Sequence, residues 1–175
     1  MGDGKMEKTE KGRPGKLRNM ATIYLCRGEE MLLLYRQGGR VVNNVWTGSA
    51  GGHFEEWELN DAGACVLREL KEELAVTEAM LGALQLRYVT LRQTKGEIRQ
   101  NYYFFAELKE EPKQGLVSNE GLVRWFSMEE TEALKMPFTA KFVVEHYRNV
   151  GRYTDQMYGG IADGEKVVFT EMREF

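Results

Sequence analysis

The chain carries two short polar stretches that decide its fold, Gly51-Gly52-His53-Phe54-Glu55-Glu56-Trp57-Glu58 and Arg68-Glu69-Leu70-Lys71-Glu72-Glu73-Leu74. The second stretch predicts an α-helix, on which Glu69, Glu72 and Glu73 fall within roughly 100° of arc around the axis. Like charges three and four residues apart repel, and the nearest basic residues, Arg68 and Lys71, are expected to point elsewhere on the circumference. The predicted counter-charge is therefore a divalent cation held by oxygen ligands.

Outward from these stretches, short strand patterns alternate with amphipathic helices. Asn60 or Asp61 is placed to cap the first helix, which should run to about Leu74. Strand patterns cover residues 20–27, 31–36, 84–92, 97–108 and 121–126, a second helix covers residues 139–149, and a final hairpin covers residues 156–161 and 166–172. Strands on both sides of a central helix, with another helix near the C-terminal end, predict an α+β domain.

The two polar stretches together resemble the Nudix box, the signature of hydrolases that cleave nucleoside diphosphates linked to another group. Gly52 and Glu58 keep the first spacing of that pattern, and residues 68–73 keep its Arg-Glu-x-x-Glu-Glu core. The sequence departs from the pattern in two places. Nine residues (59–67), not seven, separate Glu58 from Arg68, and Ala75 stands where the pattern has glycine. Both departures lie outside the acidic core. Ala75 stands at the end of the helix, where glycine is favoured because it tolerates positive φ.

The resemblance implies a Nudix-type α/β/α sandwich with a mixed central sheet and a catalytic helix. It also implies that Glu69, Glu72 and Glu73, with the backbone carbonyl of Gly51, hold Mg²⁺ or Mn²⁺. Arg68 is expected to orient the cluster through an ion pair with Glu58. Gly52 and Glu58 would then support the site rather than act in it.

Three further residues are candidates for the same site. Glu120 precedes a Trp-bearing strand pattern that resembles the acidic loop of the MutT-type branch, so it is a candidate metal ligand or general base. The alternative is a solvated loop carboxylate. Trp46 and Phe138 are candidate substrate-pocket residues, with packing in the core as the alternative for Trp46.

Composition bounds the class of protein. The 175 residues carry 24 basic and 27 acidic side chains, so the net charge of −3 offers no footprint for duplex nucleic acid. Apolar runs fall short of the roughly 20 residues that cross a bilayer, and Cys26 and Cys65 are expected to be buried thiols in a reducing cytoplasm. We expect residues 1–18 to form a disordered basic tail, residues 19–150 the hydrolase domain, and residues 151–175 a C-terminal β-hairpin extension.

The substrate is predicted by elimination. Motifs typical of ADP-ribose, NADH and coenzyme A branches are missing, which leaves the MutT-like group that hydrolyses nucleoside triphosphates, including oxidised ones such as 8-oxo-dGTP, to a nucleoside monophosphate and pyrophosphate. One alternative is another diphosphate, such as a nucleotide sugar, a dinucleotide, an isoprenoid diphosphate or a capped RNA end. Another is a non-catalytic module that binds a nucleotide. The expected partner is a small-molecule nucleotide, with the protein a monomer or homodimer and no membrane contact.

Overall fold

The computed structural model describes residues 15–39 and 43–175, which contain nine β-strands and two α-helices. The strands are β1 (Lys16–Arg27), β2 (Glu30–Arg36), β3 (Val45–Thr47), β4 (Ala50–His53), β5 (Gln85–Thr94), β6 (Glu97–Glu107), β7 (Gly121–Ser127), β8 (Met157–Ala162) and β9 (Val167–Met172). The helices are α1 (Ala62–Leu74) and α2 (Phe138–Asn149), and neither is long and apolar enough to cross a membrane.

The prediction of a disordered basic tail over residues 1–18 is wrong at its C-terminal end. Residues 1–14 lie outside the described residues, but residues 16–18 already form the start of β1. They are held there because β1 runs parallel to β6, with Lys16 in register with Glu97. This pairing joins residues about 80 positions apart, so the local composition of the tail could not predict it.

Within the described residues the strands form one mixed sheet in the order β3-β2-β1-β6-β5-β8-β9, with β4 also paired to β1 and β7 to β2. The β1–β6 and β5–β8 pairs are parallel, and the remaining pairs are antiparallel. The mixed sheet that the resemblance implied is therefore confirmed.

Successive side chains along each strand point to opposite faces of the sheet, and the two faces pack against different helices. Ile23 and Leu25 of β1 belong to a core cluster with the buried face of α1, whereas Tyr24 between them belongs to a second cluster with α2. Each cluster is fully or almost fully removed from solvent. The sheet thus separates two cores, one beneath each helix, which is the predicted α/β/α arrangement.

Helix α1 forms where the sequence places it. The Asp61 side chain accepts a hydrogen bond from the Ala64 backbone N–H at 2.9 Å, so Asp61 is the N-cap. The helix ends at Ala75, which adopts a left-handed conformation with φ of 54° and donates its N–H to the Lys71 carbonyl. Ala75 therefore adopts the left-handed backbone conformation that glycine adopts most easily at a helix end.

The predicted C-terminal hairpin forms, and it extends the sheet. Strand β8 lies parallel to β5, with Tyr88 in register with Tyr158. The buried Arg87 side chain on β5 donates hydrogen bonds to the carbonyls of Gly151, Thr154 and Gln156 at 2.8, 2.6 and 3.1 Å. These bonds satisfy backbone acceptors of the connecting segment and fix it against the sheet.

Candidate active site

The glycines of β4 allow α1 to approach the sheet closely. A β-carbon on Gly52 would lie 2.2 Å from the Glu69 Oε1 atom, and one on Gly51 would lie 2.4 Å from the Ala21 carbonyl oxygen. Any larger residue at these positions would displace either the Glu69 carboxylate or the backbone. Gly52 therefore lets the acidic face of α1 lie against the end of β4, and Gly51 lets β4 lie close to β1.

Arg68 and Glu58 form the predicted ion pair despite the two extra residues between them. Arg68 Nε donates to Glu58 Oε1 at 2.6 Å and Arg68 Nη2 donates to Glu58 Oε2 at 2.9 Å, a two-point contact. Glu58 is completely buried and also accepts the Glu55 backbone N–H at 2.8 Å. The Arg68 guanidinium holds the pKa of Glu58 below its usual range. The extra residues are accommodated in the loop and the first turn of α1.

The expectation that Arg68 points away from the acidic cluster is wrong. Arg68 Nη1 donates to Glu69 Oε1 at 2.8 Å and to Glu72 Oε2 at 3.2 Å. Residues 68 and 72 are four apart, about 40° of arc on the helix surface, so Arg68 lies beside the acidic stripe, and its planar head has enough donors for three carboxylates. Arg68 thus already neutralises part of the cluster. Within residues 15–39 and 43–175, no three potential ligand groups converge as a preformed metal site.

Glu73 is the member of the cluster that Arg68 does not reach. Its side chain is only 9% exposed, its Oε2 atom has no hydrogen-bond partner among the described residues, and its Oε1 lies 3.6 Å from Arg36 Nη2. Burial raises the pKa of Glu73 to about 7, against the opposing effect of Arg36 and with help from the charges of Glu69 and Glu120. A buried carboxylate oxygen without a partner fits a position that a hard divalent cation would occupy.

Glu120 lies at the exposed end of the loop before β7, where Gly121 is in register with Arg36 of β2. Its negative charge contributes to the raised pKa of Glu73, so the fold brings it into the electrostatic range of α1. Its side chain has no hydrogen-bond partner recorded in the described residues, and its backbone N–H donates to Ser118 Oγ at 3.1 Å. The structure therefore places this candidate near the cluster.

A cavity of about 250 Å³ opens beside the acidic cluster, between the sheet and the N-terminal end of α2. Gly51, Gly52 and Glu73 lie on its wall, which joins it to the acidic face of α1. Further into the sheet it is lined by side chains of β1, β6 and β5 that face α2, namely Met20, Thr22, Tyr24, Arg99, Asn101, Tyr103 and Arg92. A concave pocket that combines apolar and aromatic walls with convergent polar groups is typical of a small-molecule site.

The two predicted pocket aromatics behave differently. Phe138, the first residue of α2, lines the cavity. Trp46 is not among the lining residues, because its ring packs edge-on against Phe126 at 4.6 Å between centroids and against Tyr35 at 5.0 Å. The substrate-pocket prediction for Trp46 is therefore replaced by its alternative, packing against the core cluster beneath α2.

Sequence reasoning did not select the polar residues that project from the sheet into the cavity. Tyr24 Oη, Arg99 Nε and Asn101 Oδ1 are buried and have no hydrogen-bond partner in the described part of the chain. Arg99 and Asn101 alternate along β6, and that spacing is the signal that would have placed them on one face. The pairing of distant strands decides which face of the sheet lines the cavity. The sequence pattern alone therefore could not identify these polar residues.

Both the sequence and the fold resemble those of known proteins. A family model described as NUDIX domain matches residues 16–147, about three quarters of the chain. No curated protein matches the sequence.

Solved structures with similar folds include the mMutator MutT protein from Bacillus halodurans, at a TM-score of 0.60 and 19% identity over 90% of this chain and 99% of that one. The MutT protein from Methanosarcina mazei Go1 has a TM-score of 0.61 at 18% identity, over 78% of this chain and 95% of that one. The E. coli ORF135 protein has a TM-score of 0.60 at 21% identity, over 77% and 91%. The chain belongs to the Nudix family and is a hydrolase of phosphoanhydride bonds.

Proposed function

We propose that the protein is a divalent-metal-dependent pyrophosphohydrolase that cleaves a nucleoside triphosphate, canonical or oxidised, to a nucleoside monophosphate and pyrophosphate. The observation that carries this proposal is the buried, unpartnered Glu73 carboxylate oxygen at the junction of the acidic face of α1 and the cavity. A site that joins an acidic cluster to a pocket suits a substrate whose phosphate chain is neutralised by a metal ion at the cluster while the rest of the molecule occupies the pocket.

Glu69, Glu72, Glu73 and the Gly51 carbonyl are the groups that would hold Mg²⁺ or Mn²⁺. Such an ion offsets the charge on phosphate oxygens and lowers the pKa of bound water. Glu69 and Glu72 would exchange their contacts with Arg68 for metal contacts, while Glu73 Oε2, which has no hydrogen-bond partner among the described residues, would gain one. Hard oxygen ligands are the ones these ions prefer, so the donor set fits the ion.

Arg68 acts in this proposal as a positioning residue. Its two-point contact with the buried Glu58 anchors the guanidinium on one side, and its Nη2 also donates to the His53 carbonyl at 3.1 Å. The remaining N–H groups face Glu69 and Glu72 and hold those carboxylates toward the end of β4. Glu120, in the loop just before β7, is the candidate to accept a proton from attacking water or to complete the ligand set.

The proposed cellular location is the cytoplasm. Cys26 and Cys65 are both free thiols, and burial raises the pKa of each to about 12. Thiols held in the neutral form react slowly with oxidants and disulfides, so the pair behaves as ordinary core packing. This supports a reducing compartment as the place where the protein works.

The test is a hydrolysis screen with and without Mg²⁺ over canonical and oxidised deoxynucleoside triphosphates, nucleotide sugars and dinucleoside polyphosphates, with products identified by chromatography. We expect pyrophosphate and a monophosphate from at least one triphosphate. Glu72→Gln should reduce turnover by about 100-fold or more, since it removes a charge aimed at the metal. Glu78→Gln, which removes an exposed carboxylate from the 3-10 turn after α1, is the matched control and should match wild type. Hydrolysis of only diphosphate-linked compounds would reject the triphosphate assignment.

A further inference from the structure

Three arginines lie in one row across three neighbouring strands. Arg18 on β1 is in register with Arg99 on β6, and Arg99 is in register with Arg92 on β5. Residues in register on paired strands project to the same face of the sheet, and like charges directly opposite each other destabilise an antiparallel pair. We call Arg18, Arg99 and Arg92 the arginine row.

The carboxylates available to the row are too few to neutralise it. Glu97 lies 3.5 Å from Arg18 Nη1 and 3.8 Å from Arg99 Nε, and it is shared with Lys16 at 3.3 Å. Arg92 has no carboxylate within 4.0 Å in residues 15–39 and 43–175; its guanidinium carbon instead lies 5.0 Å from the centre of the Phe138 ring. Among the described residues, Glu97 is thus shared by Lys16, Arg18 and Arg99 while Arg92 pairs with no carboxylate, which leaves an excess of positive charge on this part of the sheet.

Two members of the row belong to the cavity wall. Arg92 and Arg99 line it, and the buried Arg99 Nε has no hydrogen-bond partner in the described residues. The first turn of α2 lines the same wall through Phe138 and Thr139, and its N-cap, Pro137, supplies no capping side chain. The N-terminal N–H groups of a helix favour anions, so helix and arginines attract the same kind of ligand.

We infer that Arg92 and Arg99, together with the first turn of α2, form an anion subsite that takes a phosphate group of the substrate that is not bound at the carboxylates of α1. Paired guanidinium groups are well suited to phosphate oxygens because each presents several N–H donors in a fixed plane. This inference rests on the proposed function, because the phosphate belongs to the same substrate. The bound group is either the terminal phosphate of a nucleoside triphosphate or a phosphate on the group beyond the cleaved diphosphate.

The first experiment measures the subsite without catalysis. Metal-free protein in EDTA is melted across a series of inorganic phosphate concentrations, with chloride at equal ionic strength as the reference. Wild type should be stabilised by phosphate, whereas Arg92→Gln and Arg99→Gln should bind phosphate about tenfold more weakly or worse, since each loses a charge-assisted hydrogen bond. The matched control is Arg173→Gln, which removes an exposed arginine paired only with Glu171 in the described residues and should respond as wild type does.

The same variants give a readout that a purely structural role would not produce. Without phosphate, Arg92→Gln and Arg99→Gln should melt at or above the wild-type temperature, because each relieves repulsion within the row. In phosphate buffer wild type should melt at a higher temperature than either variant. Variants that are less stable than wild type by the same amount in both buffers would mean that the arginines serve only the fold, and would overturn the inference.

The second experiment identifies the source of the phosphate. Values of kcat/KM are compared for a nucleoside triphosphate, for a nucleoside diphosphate linked to a neutral sugar, and for the same compound with a phosphate on the sugar. A loss of about tenfold in Arg99→Gln on the triphosphate assigns the terminal phosphate, and a loss confined to the phosphorylated sugar assigns the distal group. Unchanged values on all three substrates overturn the inference. Failure of the proposed function is separate: no triphosphate is hydrolysed, while phosphate still stabilises wild type in EDTA.

Discussion

Replacing Glu73 with glutamine should stabilise the metal-free protein at pH 8 while removing its activity. The carboxylate is buried, one oxygen has no hydrogen-bond partner in the described residues, and the nearest cation, Arg36, is 3.6 Å away. Burial outweighs that cation and raises the pKa of Glu73 from its ordinary 4.5 to about 7. Glutamine keeps the shape of the side chain and removes its charge. The folded protein then no longer carries the free-energy cost of an ionised carboxylate in a buried position.

The size of the effect follows from the pKa. A carboxyl whose pKa is raised from 4.5 to about 7 is harder to ionise in the folded protein by about 3 kcal/mol. Between these two pH values the folded chain keeps a proton that the unfolded chain has lost, so the free energy of unfolding falls as pH rises and levels off above pH 7. Glu73→Gln should therefore gain up to about 3 kcal/mol at pH 8, or roughly 6–12 °C in melting temperature, and almost nothing at pH 4.5.

The assay is urea denaturation in EDTA at several pH values, with Glu72→Gln as the matched control. Glu72 is 60% exposed, so the difference in stability between Glu72→Gln and wild type should be small and nearly independent of pH over this range. Saturating Mg²⁺ should then stabilise wild type and have little effect on Glu73→Gln. An equal gain at pH 5 and pH 8, or the same gain in Glu72→Gln, would refute the argument that Glu73 is a strained buried carboxylate.

Three further changes test other parts of the site. Gly52→Ala places a β-carbon 2.2 Å from Glu69 Oε1, so turnover should fall while the melting temperature changes little; wild-type turnover would mean that Glu69 is free to move. Ala75→Gly should stabilise the protein by about 1 kcal/mol in urea, because Ala75 adopts φ of 54°, and a loss of stability would contradict that conformation. Arg68→Gln should cost about 3 kcal/mol by leaving the buried Glu58 charge unpaired, and Glu58→Gln in the same chain should recover part of it; additive losses in a double-mutant cycle would rule out the pair.

Local features of the chain predicted local features of the fold. Asp61 caps α1 where the sequence places a cap, and the Glu58–Arg68 pair forms across a short loop. The prediction for Arg68 failed because residues four apart are neighbours on a helix surface. Arg68 and Glu72 have that spacing, and the guanidinium lies 3.2 Å from that carboxylate.

Features built from distant parts of the chain were beyond sequence reasoning. The start of β1 is a strand because it pairs with β6, and the C-terminal hairpin joins the sheet because β8 pairs with β5. The arginine row exists only because three strands adopt one particular register, and a shift of one residue would turn a strand's side chains to the opposite face.

The sequence by itself determined the family, the catalytic helix and the acidic residues of the box, since all of these depend on spacing within about 25 residues. The tertiary structure decided which carboxylate oxygen is buried without a hydrogen-bond partner among the described residues, which predicted aromatic lines the cavity, and which arginines lie on the cavity wall. The physical reason is that burial and charge balance are properties of a neighbourhood. Strands far apart in the chain assemble that neighbourhood, and its charges and packing are defined only when they pair.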